Sequence, residues 1–295
     1  MKKQLISVLT ALFVVFTATT TVSANHEGEP IRIGSKDFTE NLLVAEIYAL
    51  ALEDNDFEVE RVPAISSAIV HTSIVNDEID LYPEYTGTGL LTILQLPMET
   101  DPEKVFEIVK TEYDKQFGLT WLQYSQANDS QGLVITTAKA EELDIYTISD
   151  LQAKASELRF ASQGEFDMRE DGIPGLEGVY GEFDWSSSTI YDNSLKYQVL
   201  QNDQADVTPA YTTEGQLVNT DLYTVLEDDK QFWPPYNLAP IIRNNVLDAH
   251  PEIEDILAEV NEQLDTEKMI ELNAKVDVDG EEYVEVAKEY FESLK

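Results

Sequence analysis

The sequence predicts an α/β protein of two lobes with a ligand cleft between them. Three observations predict it. Strand-like and helix-like stretches alternate from Ile31 to Leu94, and alternate again from Leu133 to Leu226. No low-complexity linker and no repeat of fixed period interrupts the chain. About 270 residues follow an apolar leader, enough for two cores rather than one.

The elements follow in order. Ile31-Arg32-Ile33-Gly34 reads as a short strand ending in a turn, and Leu42 to Leu52 carries apolar residues at helical spacing. Phe57 to Val62 alternates as a strand does. Ser66 and Ser67 are cap candidates for a helix reaching about Asn76, and Ile79 to Tyr82 returns to strand. Such an order implies parallel strands joined by crossover helices. Asp101-Pro102-Glu103 starts a helix: Asp caps it, Pro occupies the first position and Glu complements the dipole. Further on, Leu133 to Ile135 predicts a buried strand, Ser149 a cap near Leu151, Leu158 to Ala161 a strand and Ser194 to Gln201 a helix. Ala205 to Val207 leads into another strand, and Tyr223 to Leu226 forms one more. Pro234-Pro235 breaks the pattern, and the last 45 residues read as helices starting near Pro251, Asp265 and Gly280.

This reading predicts a leader over 1–24, a first lobe over 25–127, a second lobe over 128–231 and a return to the first lobe over 232–295. The hinge is expected near Ala127–Ser130. Lys2 and Lys3 precede the apolar run Leu5–Thr17, and Val22-Ser23-Ala24 has signal-cleavage character. The expectation is an exported, extracytoplasmic protein with no lipid tether on Cys, because the chain has no Cys.

The net charge of −38 argues against nucleic acid and anionic lipid as partners. It reads first as a hydrated surface suited to a salty medium and second as attraction for cations. At 1 M salt the Debye length of about 3 Å screens such steering. Catalytic chemistry is not expected. The three histidines are His26, His71 and His250, and no nucleophile elbow, phosphate loop, dinucleotide fingerprint or zinc helix is present. Asp277-Val278-Asp279-Gly280 has calcium-loop composition, but the first and last ligand positions would be Lys275 and Val286. No metal and no cofactor is expected.

The positive signal is aromatic. Tyr82 and Tyr85, Tyr211 and Tyr236 lie in turn-like stretches rich in Pro, Gly and Thr, several of them just after strands. Strand ends are where α/β folds bind ligands. Ring faces there suit a quaternary ammonium, which has no N–H to donate, at about 0.5–2 kcal/mol per ring. Lys36 and Arg169, loop cations in an acidic chain, could hold a carboxylate or pair with neighbouring acids.

These residues sit in motifs that resemble the glycine betaine/carnitine/choline-binding proteins of osmoprotectant ABC transporters. The matching stretches are Ile33-Gly34-Ser35-Lys36-Asp37-Phe38-Thr39-Glu40, Ile79 to Gly89 with Tyr82-Pro83-Glu84-Tyr85-Thr86-Gly87-Thr88, Thr147 to Leu151, Asp171 to Leu176, and Phe232-Trp233-Pro234-Pro235-Tyr236. The resemblance implies a type II periplasmic-binding fold, each lobe a mainly parallel sheet flanked by helices. It implies a monomer that passes a quaternary-ammonium solute to a membrane permease. It assigns Tyr85, Tyr211 and Tyr236 to cage walls, Lys36, Thr88 and Arg169 to a carboxylate, and Asp129 to the cation. One position departs: Gln131 stands where the family often has an aromatic. Either the cage lacks a wall, or Tyr124 or Tyr197 supplies it. A Gln there could hydrogen-bond a hydroxyl, as in carnitine or choline. Two other classes stay open from the residues alone, an extracytoplasmic enzyme and a binding protein for an amino acid or ectoine.

Overall fold

The computed structural model describes residues 28–295 apart from Glu165; the leader and His26 lie outside the described residues. Among the described residues, ten strands form two five-stranded sheets. The first holds β1 (Ile31–Lys36), β2 (Val59–Ile65), β3 (Leu81–Tyr85), β4 (Leu119–Trp121) and β10 (Leu238–Arg243), in the order β2-β1-β3-β10-β4. The second holds β5 (Gln131–Thr136), β6 (Arg159–Ser162), β7 (Ser187–Ile190), β8 (Val207–Tyr211) and β9 (Tyr223–Val225), in the order β7-β6-β8-β5-β9.

One strand in each sheet runs against the others. In the first it is β10, antiparallel to both β3 and β4; in the second it is β5, antiparallel to both β8 and β9. Each is the first strand after the chain crosses from one sheet to the other. The crossings meet: Asn128 and Asn237 form an antiparallel bridge, and Leu238 N–H donates to the Ala127 carbonyl at 3.1 Å.

The central strands of each sheet are buried on both faces. Alternate side chains part between cores, as the two-residue period requires. Leu133 and Ile135 pack with Leu151 and Phe160, whereas Val134 packs with Val199 and Tyr223. In the first lobe Leu81 faces the helix Thr39–Asp54 and the C-terminal helices, and Tyr82 faces Val109 and Trp121. Phe232 and Trp233, in the second crossing, pack into the second lobe's core.

Several local expectations need correction. The helix after β2 spans Val70–Val75, and neither Ser66 nor Ser67 caps it by side chain; the Ser66 carbonyl instead closes a turn onto Ile69 and Val70 N–H. The helix Ile148–Lys154 is capped by Thr147, not Ser149. Thr147 and Asp150 form a reciprocal capping box, which leaves Ser149 in the first turn, bonded to Asp229. The last helix begins at Tyr283, after Glu282. The Asp101 cap on Pro102–Phe117 stands as expected, accepting from Glu103 and Lys104 N–H.

A duplication also emerges that a search for short periods misses. Asn76-Asp77 with Asp80, Pro83, Tyr85, Thr86 and Gly89 recurs 126 positions later as Asn202-Asp203 with Asp206, Pro209, Tyr211, Thr212 and Gly215. The structure uses both copies alike. Asp80 accepts from Arg32 backbone N–H and Nε at 2.9 Å each, and from Nη2 at 2.7 Å. Asp206 accepts from the same three groups of Arg159 at the same distances. Each clamp ties the strand carrying the Arg to the strand that ends in a cleft tyrosine, Tyr85 or Tyr211.

Candidate functional site

Between the lobes lies a cavity of about 720 Å³, within the range of small-molecule sites. All eight residues singled out from the sequence line it: Lys36, Tyr85, Thr88, Asp129, Gln131, Arg169, Tyr211 and Tyr236. They arrive by different routes. Lys36, Tyr85 and Tyr211 are the last residues of β1, β3 and β8. Thr88 belongs to the helical turn that follows β3, and Arg169 to the loop after β6. Asp129 and Tyr236 sit on the two crossings, held together where Asp129 N–H donates to the Tyr236 carbonyl at 3.1 Å. Asn128 accepts from Tyr236 N–H at 2.6 Å, which fixes the ring's backbone. Gln131, opening β5, lies opposite Tyr211 in the ladder.

The first-lobe wall is tightly organised. Asn41 accepts from Lys36 N–H at 2.6 Å and donates to the Pro83 carbonyl at 2.9 Å, locking the ends of β1 and β3 side by side. The buried Lys36 ammonium pairs with Glu84 and stands 5.0 Å from the Tyr85 ring centre. Tyr85 donates its hydroxyl to Glu40 at 2.9 Å, and Phe38 stacks on its ring at 6.1 Å. Phe38 and Glu40 both line the cavity and were missed as site residues. The signal was present, since both belong to the Phe38-Thr39-Glu40 part of a recognised motif. Neither proposed substitute wall reaches the cavity. Tyr124 packs on Phe106 at 5.0 Å, in the first-lobe core. Tyr197 gives its hydroxyl to Glu214 and meets Tyr223 at 4.9 Å. The fourth aromatic at the cavity is therefore Phe38.

The amino-acid sequence matches the family described as the substrate-binding domain of ABC-type glycine betaine transport systems over residues 29–293. The chain belongs to that family. Its relatives include a glycine-betaine-binding protein of Pseudomonas aeruginosa, 31% identical over 274 residues, covering 90% of this chain and 88% of that protein. Another is an ergothioneine transport permease/ergothioneine binding protein of Helicobacter pylori, 30% identical over 270 residues. That match covers 91% of this chain, which spans only 48% of the relative's length. Among solved structures, a glycine betaine/carnitine/choline ABC transporter protein superimposes with a TM-score of 0.84 at 26% identity, covering 89% of this chain and 98% of the other. The fold is thus the two-lobed periplasmic-binding type.

In this family member the cleft electrostatics centre on Asp129. Burial pushes its carboxyl well above the usual carboxylate range, the charge on Glu40 adds to this, and a hydrogen bond from Thr213 opposes it. The Tyr85, Tyr211 and Tyr236 phenols are all raised, first by burial, and each also senses Asp129. Tyr85 is buried, Asp129 and Tyr236 are half-buried and Tyr211 is exposed, so these groups border one cavity that stays open to solvent on the Tyr211 side. Arg169 reaches it already engaged by Asp171, whose carboxylate accepts from Nε at 2.7 Å. A separate depression of about 550 Å³ around Asn55, Phe57 and His250 contains none of these residues. No helix among the described residues is long and apolar enough to cross a membrane.

Proposed function

We propose that this chain is an exported binding protein that captures a small quaternary-ammonium solute in its interlobe cleft and delivers it to an ABC permease. Glycine betaine, carnitine, choline and proline betaine are the candidate solutes, and osmoprotection is the physiological use. The observation that carries this reading is the meeting of tyrosines from both sheets, Tyr85 and Tyr211, with Tyr236 and Asp129 at a single cavity. Three ring faces at about 0.5–2 kcal/mol each suit a methylated nitrogen, which carboxylates and amides serve poorly. Lys36 and Arg169 keep donors beyond those given to Glu84 and Asp171, and Thr88 adds a hydroxyl; these would take a ligand's acid or hydroxyl.

Capture works by population shift. A ligand touching both lobes favours the arrangement in which they close, by as much as its affinity differs between the two. The lobes are joined by two bonded crossings, which suits bending there, and the closed form is what docks on the permease. The protein acts as a monomer and makes or breaks no bond. Calorimetry with glycine betaine, proline betaine, carnitine, choline and proline tests the reading. The expected result is binding of one or more methylated amines, none of proline, and weakening by Tyr211→Ala. Flat titrations against every methylated amine reject it.

A further inference from the structure

The cleft carries more negative charge than its own cations answer. Lys36 pairs with Glu84, Arg169 with Asp171, and Lys196 with Glu214, so the basic groups at and behind the walls are each neutralised within the protein. Asp277 at the rim is exposed and takes the Thr39 hydroxyl at 2.6 Å, where water screens it. Two carboxylates remain inside. Glu40 is 3% exposed and has both oxygens occupied, by Tyr85 hydroxyl at 2.9 Å and by Asn273 Nδ2 at 3.0 Å. Asp129 takes the Thr213 hydroxyl on one oxygen at 2.7 Å, and its other oxygen makes no protein hydrogen bond among the described residues. Asn273 also donates to the Thr213 carbonyl at 2.8 Å, so a chain of bonds connects the two acids across the lobes.

The charged and titratable groups facing Asp129 are Glu40 from the first helix, Lys36 from β1, Glu214 from the turn after β8, and the phenols of Tyr85, Tyr211 and Tyr236. The positive groups at this cavity are Lys36 and Arg169, and Glu84 and Asp171 already hold them. Burial raises the Glu40 carboxyl too, but donors on both its oxygens oppose this, whereas half-buried Asp129 keeps one oxygen without a protein donor. Two charged carboxylates here would share no free counter-ion. Protonation of Asp129, the acid with a free oxygen, is the cheaper arrangement in the empty cleft.

We propose that the empty cleft holds a proton on Asp129 and releases it to solvent when a solute of net positive charge binds, so that capture of a choline-class monocation exchanges one cation for one proton. The O–H bond of the carboxylic acid breaks, the electron pair stays on the carboxylate, and the trimethylammonium becomes its counter-ion. A zwitterion such as glycine betaine also brings its own carboxylate into the cleft, which offsets the field of its nitrogen at Asp129, so its binding releases a smaller fraction of a proton. This deepens the quaternary-ammonium reading and rests on it: net charge, not the methylated nitrogen alone, sets preference as pH changes.

The test is calorimetric titration of the full chain with choline and with glycine betaine from pH 5 to 8, in acetate and in Mes at the acid end and in phosphate and in Tris at the alkaline end. These buffers differ widely in ionisation heat, so the difference in observed enthalpy counts protons released. For choline, the expected result is a release approaching one proton and an affinity that rises with pH by up to about tenfold per unit, the slope of one linked proton. Glycine betaine should show a clearly shallower slope. Asp129→Asn should flatten the choline profile. Glu40→Gln, which removes the opposing charge, should move the profile to lower pH. Choline binding that is independent of both buffer and pH overturns the exchange and leaves the quaternary-ammonium reading intact. An undiminished slope in a folded Asp129→Asn protein does the same. Absence of choline binding overturns the exchange, and flat titrations against every methylated amine overturn both.

Discussion

Replacing Gly87 by Ala moves one aromatic wall of the cleft without deleting it. Gly87 lies in the helical turn Thr86–Thr88, and a Cβ built there would stand 2.7 Å from Cδ1 and Cε1 of Tyr236 and 2.8 Å from Cγ. Carbon atoms pack at about 3.5–4.0 Å, so the ring has to retreat by roughly 1 Å. Its backbone cannot follow easily, being tied to Asn128 and Asp129, so the ring must rotate. A ring displaced that far loses much of a cation–π contact worth about 0.5–2 kcal/mol, or about 2- to 30-fold in Kd. The backbone conformation is helical, where Ala is favoured over Gly by up to about 1 kcal/mol, so stability should hold or rise slightly. Calorimetry with glycine betaine and urea unfolding measure the two effects separately. In a Tyr236→Ala background, Gly87→Ala should cost nothing further, because the colliding ring is gone. An unchanged Kd in the single variant, with the fold intact, refutes Tyr236 as a wall of the site.

Other expectations concern the scaffold. Asp80→Ala removes an acceptor serving three groups of Arg32; with Arg32 partly exposed, the loss should be about 2–3 kcal/mol, below that of a fully buried pair, measured by urea denaturation. Asp206→Ala should cost a similar amount through Arg159, and a several-fold disparity would argue against equivalent clamps. Asp101→Ala should cost about 1 kcal/mol, the usual value of a helix N-cap, and leave binding unchanged. The raised Asp129 carboxyl has a pH signature in the empty protein. Its contribution to stability is complete below its unfolded value and is lost as pH rises through its folded value. The urea midpoint of Asp129→Asn should therefore gain on that of the parent between pH 4 and 8; parallel curves would place Asp129 in ordinary solvent.

Much of this protein could be read from local chemistry. The apolar spacing of Leu42–Leu52 and the Asp101-Pro102 start predict helices that form where expected, because such signals act within a turn or two. Signals that depend on partners were harder. Strand β7, Ser187–Ile190, is exposed throughout and pairs only with β6, so nothing in its residues marks it. Strand β10 contains Pro240, which argues against a central strand, yet Pro240 lies directly opposite Pro83 of β3 in the ladder. Thr147 rather than Ser149 caps its helix because Asp150 completes the reciprocal pair.

The site divides the same way. Its residue types, the tyrosines after strands and the cations in an acidic chain, were visible in the amino-acid order, and so was the family motif that groups them. That Phe38 rather than Tyr124 or Tyr197 faces the cavity, and that Lys36 and Arg169 arrive already paired, are matters of packing. A chain's order determines what each short segment prefers, since those preferences are settled among neighbours a few residues apart. Which strand ends converge, and which carboxylate is left without a counter-ion, is decided only when two sheets are joined through crossings bridged at Asn128 and Asn237. Burial and charge then act between groups that are distant in sequence and close in space.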